Sequence, residues 1–200
     1  MEAALTTRGD PTPPDRVDGL AALVARAAGG EERAWEDLVR LYARRVYALA
    51  QSRLRRPDLA EEITQSVFVT VAIKLKDQQY TELGRFEAWL FRVTMNRVRD
   101  AARRTKRQAV PLEPGVIESM AGHADADPEP TDTRALRAAL RTLNDADREV
   151  IELRHHGRMG FKDIADLLGE PVGTVLARHH RALRKLRSVL EPDGTEEEQP

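Results

Sequence analysis

FKDIADLLGEPVGTVLARHHRALRKLR, residues 161–187, is the stretch on which the reading of this chain turns. Ile164, Ala165 and Leu168 recur at helical spacing before Gly169 and Pro171 interrupt the pattern. Glycine supplies the left-handed residue that ends a helix, and proline is tolerated in the first turn of the next, where its missing N–H costs little. A second periodic run starts at Val172 and lasts to about Leu186. Two short helices joined by a tight glycine turn make a helix-turn-helix, whose second helix can lie in a DNA major groove. Wound at about 100° per residue, Val175, His179, Ala182, Leu183 and Leu186 share one arc, with Leu176 at its edge. Arg178, Arg181, Arg184, Lys185 and Arg187 share the other, with Ala177 and His180 among them. No acid interrupts Val172 to Arg187. A merely solvated face mixes its signs, so this one points to DNA.

The whole chain sets the limits. Its 200 residues and 22.5 kDa allow one large domain or two small ones. A hydrophobic fraction of 41% beside 32% charged residues describes a soluble, mostly helical protein. The formal net charge is only −1, but the signs are segregated along the chain. The absence of cysteine excludes a disulfide framework and a thiolate metal site. Nothing at the N-terminus resembles a signal peptide and no apolar run reaches membrane-spanning length, so a cytoplasmic location is expected.

Taken in order, residues 1–18 are rich in Pro, Thr, Gly and Asp and read as a flexible arm. After a first helical run and the Gly29-Gly30 break, Trp35, Leu38, Val39, Tyr42, Val46, Leu49 and Ala50 recur at threes and fours as a core stripe. Pro57 and Asp58 mark a turn, with Asp58 a candidate N-cap for a helix carrying Ile63, Val67, Val71 and Leu75. A polar loop with an exposed-looking Tyr80 leads to a last helix of this half. There Arg85, Arg92 and Arg99 form one row and Trp89, Asn96 and Arg103 a second, while Phe91, Met95, Val98 and Ala102 face a core. Eight basic residues against Glu87 and Asp100 between Arg85 and Arg107 make this a second basic surface. Residues 108–133 hold four prolines, six acids and no Lys or Arg, and read as a linker. Helical period returns at Arg134, with Asn144 to Asp147 as a cap-like break, and the tail 191–200 is acidic. The expected fold class is all-α: two small helical domains (19–107 and 134–190) joined by a flexible acidic linker, the second a helix-turn-helix.

Three ordered stretches resemble the extracytoplasmic-function sigma factors, the two-domain class of the sigma-70 family. Ala60-Glu61-Glu62-Ile63-Thr64-Gln65-Ser66-Val67-Phe68 is similar to the family's polymerase-clamp motif. Phe86 to Val93, continuing through Asn96, Asp100 and Arg103, resembles its promoter-melting helix. Ile164-Ala165, Leu168-Gly169, Pro171, Gly173-Thr174-Val175, Arg178 and Arg181-Ala182 resemble its upstream-element helix-turn-helix. Three departures stand out. Ser66 replaces an acid common after the glutamine, Leu176-Ala177 a basic residue and a serine that usually face DNA, and Leu143-Asn144 a frequent Leu-Pro.

The resemblance implies a transcription initiation factor with no covalent chemistry of its own, no cofactor and no metal. Its expected partners are bacterial core RNA polymerase, promoter DNA and, as for many relatives, an anti-sigma factor. Glu61, Glu62, Gln65 and Phe68 would meet the polymerase. Tyr80, Trp89 and Asn96 would hold unstacked bases, with Arg85, Arg92, Arg99 and Arg103 on phosphates. Gly173, Thr174, Ala177, Arg178, His180, Arg181, Arg184 and Lys185 would face the upstream duplex, while His179 packs in the core. The pairs His155-His156 and His179-His180 diverge on a helix and suggest no metal site. The acidic linker is compatible with a polymerase channel or with a plain spacer. An autonomous helix-turn-helix regulator would need a dimer helix that the pattern lacks, and a nuclease would need carboxylates or histidines clustered in a pocket, whereas the acids here lie at helix starts, in the linker or in the tail.

Overall fold

The computed structural model describes residues 14–81, 84–108 and 131–191. Eight helices and no strand occur among them: α1 (Pro14–Ala28), α2 (Glu32–Leu54), α3 (Pro57–Lys76), α4 (Phe86–Gln108), α5 (Thr131–Arg141), α6 (Asp145–His155), α7 (Phe161–Leu168) and α8 (Val172–Leu190). Helix α1 begins inside the stretch read as an arm, because Val24 of its apolar face is buried against α2 and α3. Most of the linker, the acidic tail after Glu191 and residues 1–13 lie outside the described residues.

Local chemistry sets the helix ends. Gly30, at φ 86°, occupies the left-handed region after α1, where an L side chain is strained. Helix α2 closes on Arg55 with φ 55°, its N–H donating to Gln51 O at 2.9 Å. The cap of α3 is Arg56 rather than Asp58. Pro57 takes the first helical position, and Asp58 sits in the first turn pairing with Arg56 at 2.5 Å. Asn144 caps α6, its side-chain oxygen accepting the Asp147 amide at 2.8 Å. Gly169 at φ 70° ends α7, and Pro171 caps α8 from just outside it.

The apolar stripes meet in one main core. Leu38, Tyr42, Val46 and Leu49 of α2 face Ile63, Val67 and Val71 of α3 and Leu90, Phe91 and Met95 of α4. Each such side chain contributes about 1.5–3 kcal/mol when fully buried. On α4 the inward alanine is Ala101; Ala102 faces solvent, one position off the expected stripe. The same core continues into the second half through Val150, Leu153, Met159, Ile164, Ala165 and Val175. A smaller cluster of Ala139, Leu143, Ile151, Ala182 and Leu186 holds α5, α6 and α8 together. The two domains expected from the sequence therefore share an apolar seam.

Polar groups pin that seam. Glu152 is 1% exposed, accepts Ser52 Oγ at 2.7 Å and Arg148 Nε at 2.7 Å, and pairs with Arg53 Nε at 3.0 Å. Arg148 also donates to Ser52 O at 2.6 Å. Arg45 bridges from Glu87 at 2.6 Å to the backbone carbonyl of Gly157. Gly157 has no room for a side chain, since a Cβ there would lie 2.4 Å from Leu153 O. Removing the central carboxylate leaves two largely buried guanidiniums facing an apolar seam. Glu152→Ala is expected to destabilise the protein by about 3–5 kcal/mol, read as a lowered midpoint in chemical denaturation.

Candidate polymerase and nucleic-acid interfaces

Helix α3 turns its core stripe inward, which leaves Glu61, Glu62 and Gln65 exposed on the opposite arc. Phe68 does not join them. Its ring is buried edge-on against Trp35, with centroids 6.1 Å apart at 80°, so it fills the core and offers no face to a partner. The outward apolar groups are Val69 and Ile73, 58% and 52% exposed, on the same arc as Glu62 and Gln65. The pattern contained that signal: both residues fall opposite the Ile63–Val67–Val71 row, hidden in a run that is apolar almost throughout.

The loop after α3 folds onto the start of α4. Tyr80 is half-buried, stacked on Trp89 at 4.3 Å and 28°, with Phe86 edge-on to Tyr80 at 5.9 Å. Beneath them Tyr42 donates to Glu87 at 3.0 Å, and burial followed by the Glu87 charge pushes the Tyr42 hydroxyl far above its ordinary pKa. Trp89 lines a cleft of about 600 Å³ between α4 and the α7–α8 turn, together with Arg85, Arg92, Asp166, Gly169 and Glu170. The cleft thus combines an indole with two guanidiniums, a set suited to a base and its phosphates.

The expected α4 cations are less open than their spacing suggests. Arg92 donates to Asp166 O at 3.1 Å, and Arg85 lies 3.8 Å from the Asp166 carboxylate. Arg99 pairs with Glu149 at 2.5 Å across the seam, and Arg103 pairs with Asp100 at 2.5 Å on its own helix. Asn96 is exposed between these rows. One face of α4 therefore meets the second domain, and DNA phosphates reaching Arg92 or Arg99 must replace those carbonyl and carboxylate oxygens.

On α8, Gly173, Thr174, Ala177, His180, Arg181, Arg184 and Lys185 are exposed. The Thr174 amide is already used, donating to Pro171 O at 2.9 Å, so its hydroxyl is what it offers outward. Arg178 is half-buried and pairs with Glu170 at 2.8 Å, while Arg181 makes a two-point contact with Asp147 at 2.6 and 2.8 Å. Hydrogen bonding from Arg181 holds the Asp147 carboxyl below its ordinary value of 3.8. Leu183, assigned by spacing to the apolar arc, is 41% exposed, because that arc extends past the edge of the α5–α6 packing surface. His179 stacks on His155 with centroids 6.1 Å apart and meets Phe161 edge-on at 5.0 Å.

Residues 38–108 match the family model described as Sigma-70 region 2, and residues 139–188 match Sigma-70 region 4. The ECF RNA polymerase sigma factor SigE of Mycolicibacterium smegmatis is 32% identical over 189 residues, covering 92% of this chain and 72% of its own. The RNA polymerase sigma factor CarQ of Myxococcus xanthus is 31% identical over 166 residues, covering 82% of this chain and 94% of its own. Among solved structures, CnrH in complex with the cytosolic domain of CnrY gives a TM-score of 0.61 at 26% identity, with 87% of this chain and 98% of that one covered. The Bartonella quintana sigma factor RpoE, solved with the anti-sigma factor NepR, shares the fold with a TM-score of 0.59 at 23% identity, over 80% of this chain and 98% of that one.

The ordered matches to Sigma-70 regions 2 and 4 on an all-helical chain define a transcription initiation factor of the sigma class. The chain belongs to the ECF RNA polymerase sigma factors. It binds core RNA polymerase and promoter DNA, and the ordered match of both regions does not favour an autonomous regulator. No helix among the described residues is long and apolar enough to cross a membrane.

The histidines give the second domain a pH dependence. Burial is the leading cause that holds His155, His156 and His179 below their ordinary 6.5, reinforced at His179 by the charges of His155, His180 and Arg154. The unfolded chain therefore takes up these protons first on acidification. Stability from the neutral rings is complete above about 6.5 and is lost as pH falls through their lowered values. The melting temperature followed by circular dichroism should drop between pH 7.5 and 5.5, and drop less in His179→Gln.

Proposed function

We propose how the three faces divide the work of initiation. Glu61, Glu62 and Gln65 on α3, extended by the exposed aliphatic groups Val69 and Ile73, form the surface that docks core polymerase. The Tyr80–Trp89 stack with Arg85, Arg92, Asn96, Arg99 and Arg103 receives the strand released on opening. Aromatic faces hold any base, and guanidiniums follow the backbone. The exposed face of α8 lies in the major groove of the upstream element, with Arg184 and Lys185 on phosphates. The observation that carries this division is the separation of the faces: each lies on a different helix, the α3 face acidic and the α4 and α8 faces basic.

The work falls to two units, 19–107 and 134–190, and takes place in the cytoplasm, where polymerase and chromosome are. The acidic linker read over 108–133 and the tail over 191–200 are assigned to none of the three faces. CnrH was solved with the cytosolic domain of CnrY, and RpoE of Bartonella quintana with an anti-sigma factor. A protein inhibitor of that class is among the partners we assign to this chain.

Reconstitution tests the division. The purified chain mixed with bacterial core polymerase and genomic fragments should give promoter-dependent run-off transcripts that neither component gives alone. Glu61→Lys with Glu62→Lys should weaken capture of core polymerase by about tenfold or more, as charge reversal at an interface does, without lowering the melting temperature. Tight specific DNA binding with no transcripts would instead make the chain an autonomous regulator.

A further inference from the structure

The upstream-reading helix carries two kinds of arginine. Among the described residues, the side chains of Arg184 and Lys185 take part in no salt bridge, whereas Arg181 is held by a carboxylate from another helix. That carboxylate, Asp147, is 3% exposed. Asn144 Nδ2 donates to its Oδ2 at 2.9 Å, and Asn144 Oδ1 accepts its amide at 2.8 Å. Asp147 thus stands fixed in the first turn of α6, where the helix dipole also favours negative charge.

The contact uses one particular edge of the guanidinium. Arg181 Nε donates to Oδ2 at 2.8 Å and Nη2 to Oδ1 at 2.6 Å. Of the five N–H groups in the fork, both on Nη1 and the second on Nη2 remain. The Arg181 side chain is 54% exposed, and Ala177, one turn before it, adds only a methyl group to the same side of α8. An arginine neutralised by a buried carboxylate contributes little to phosphate attraction, which depends on net charge. It keeps directional donors, and an Nη1–Nη2 edge held in one orientation matches the O6 and N7 acceptors of guanine.

We propose that Asp147, braced by Asn144, is a positioning residue for promoter recognition, holding Arg181 so that its outward edge reads a guanine in the upstream element. This rests on the assignment of α8 to the upstream duplex. The departure at Leu176 and Ala177 fits, since discrimination then lies one turn further along the helix.

The test uses holoenzyme reconstituted with the full chain and a promoter library randomised across the upstream element, scored by transcript yield. Wild type should prefer guanine at one position that Asp147→Asn relaxes by about tenfold, within the range of one bidentate pair. The other positions should keep their preferences, while the salt dependence of binding should steepen slightly in Asp147→Asn, which frees the Arg181 charge, and stay unchanged in Arg181→Lys, which keeps it. Arg181→Lys, which keeps the charge and loses the fork, should give the same relaxed profile and so guards against misfolding in the Asp147 variant. Asp147→Asn added to Arg181→Lys should relax nothing further. An unchanged profile in either single variant, uniform weakening at all positions, or further relaxation in the double variant would overturn the proposal. Absence of promoter-dependent transcripts with wild type would defeat the functional reading beneath it. Normal wild-type transcription with an unchanged variant profile defeats only the role of Asp147.

Discussion

The relation between the two halves of the molecule depends on one buried carboxylate. Glu152 lies at the seam with 1% of its surface exposed, and a charge in that position is tolerable only when its oxygens are met by donors. Ser52 from α2 and Arg148 from α6 donate to Oε1, and the Arg53 guanidinium lies against Oε2 as an ion pair at 3.0 Å. The apolar part of the seam, from Val150 to Val175, contributes burial without direction. The carboxylate supplies the direction, because Ser52, Arg53 and Arg148 can meet it in few arrangements of α2 against α6. The positions of α7 beside α4, and of the cleft between them, follow from that register.

A consequence is the way the second domain handles arginines. Glu149 and the Asp166 backbone take Arg99 and Arg92 of α4, while Asp147 and Glu170 take Arg181 and Arg178 of α8. The contacts with α4 are at least partly exposed, so they are screened by salt and open to displacement by phosphate. The Asp147 contact has a buried carboxylate and a braced geometry, which makes it an orienting device more than a source of stability. A chain with a net charge of −1 can still present basic surfaces to DNA, since many of its acids lie in residues 108–133 and 191–200, away from the basic faces of α4 and α8.

The acidic face of α3 shows a similar division of roles. Its inward row is aliphatic, with Phe68 against Trp35, and its outward row mixes carboxylates with Val69 and Ile73. An interface that combines charge for encounter with apolar area for retention needs both on one side of one helix. An α-helix with core residues over less than half its circumference can provide that without a loop.

The sequence by itself determined the helices, the glycine-ended turn before α8 and the three faces, because a period near 3.6 and the backbone demands of Gly and Pro are local properties. It placed Glu61, Glu62, Gln65, Asn96 and the α8 cations on surfaces for the same reason. It could not tell Phe68 from Val69, or Ala101 from Ala102, since each pair lies at the border of an arc. The exact edge of the neighbouring helix decides which member is covered. Nor could it show that Arg181 is clamped while Arg184 is not: Asp147 lies 34 positions earlier and meets the guanidinium only once α6 packs across α8. Contacts of that kind, with the seam around Glu152, are decided by tertiary packing, where the cost of burying a charge selects partners that no local pattern encodes.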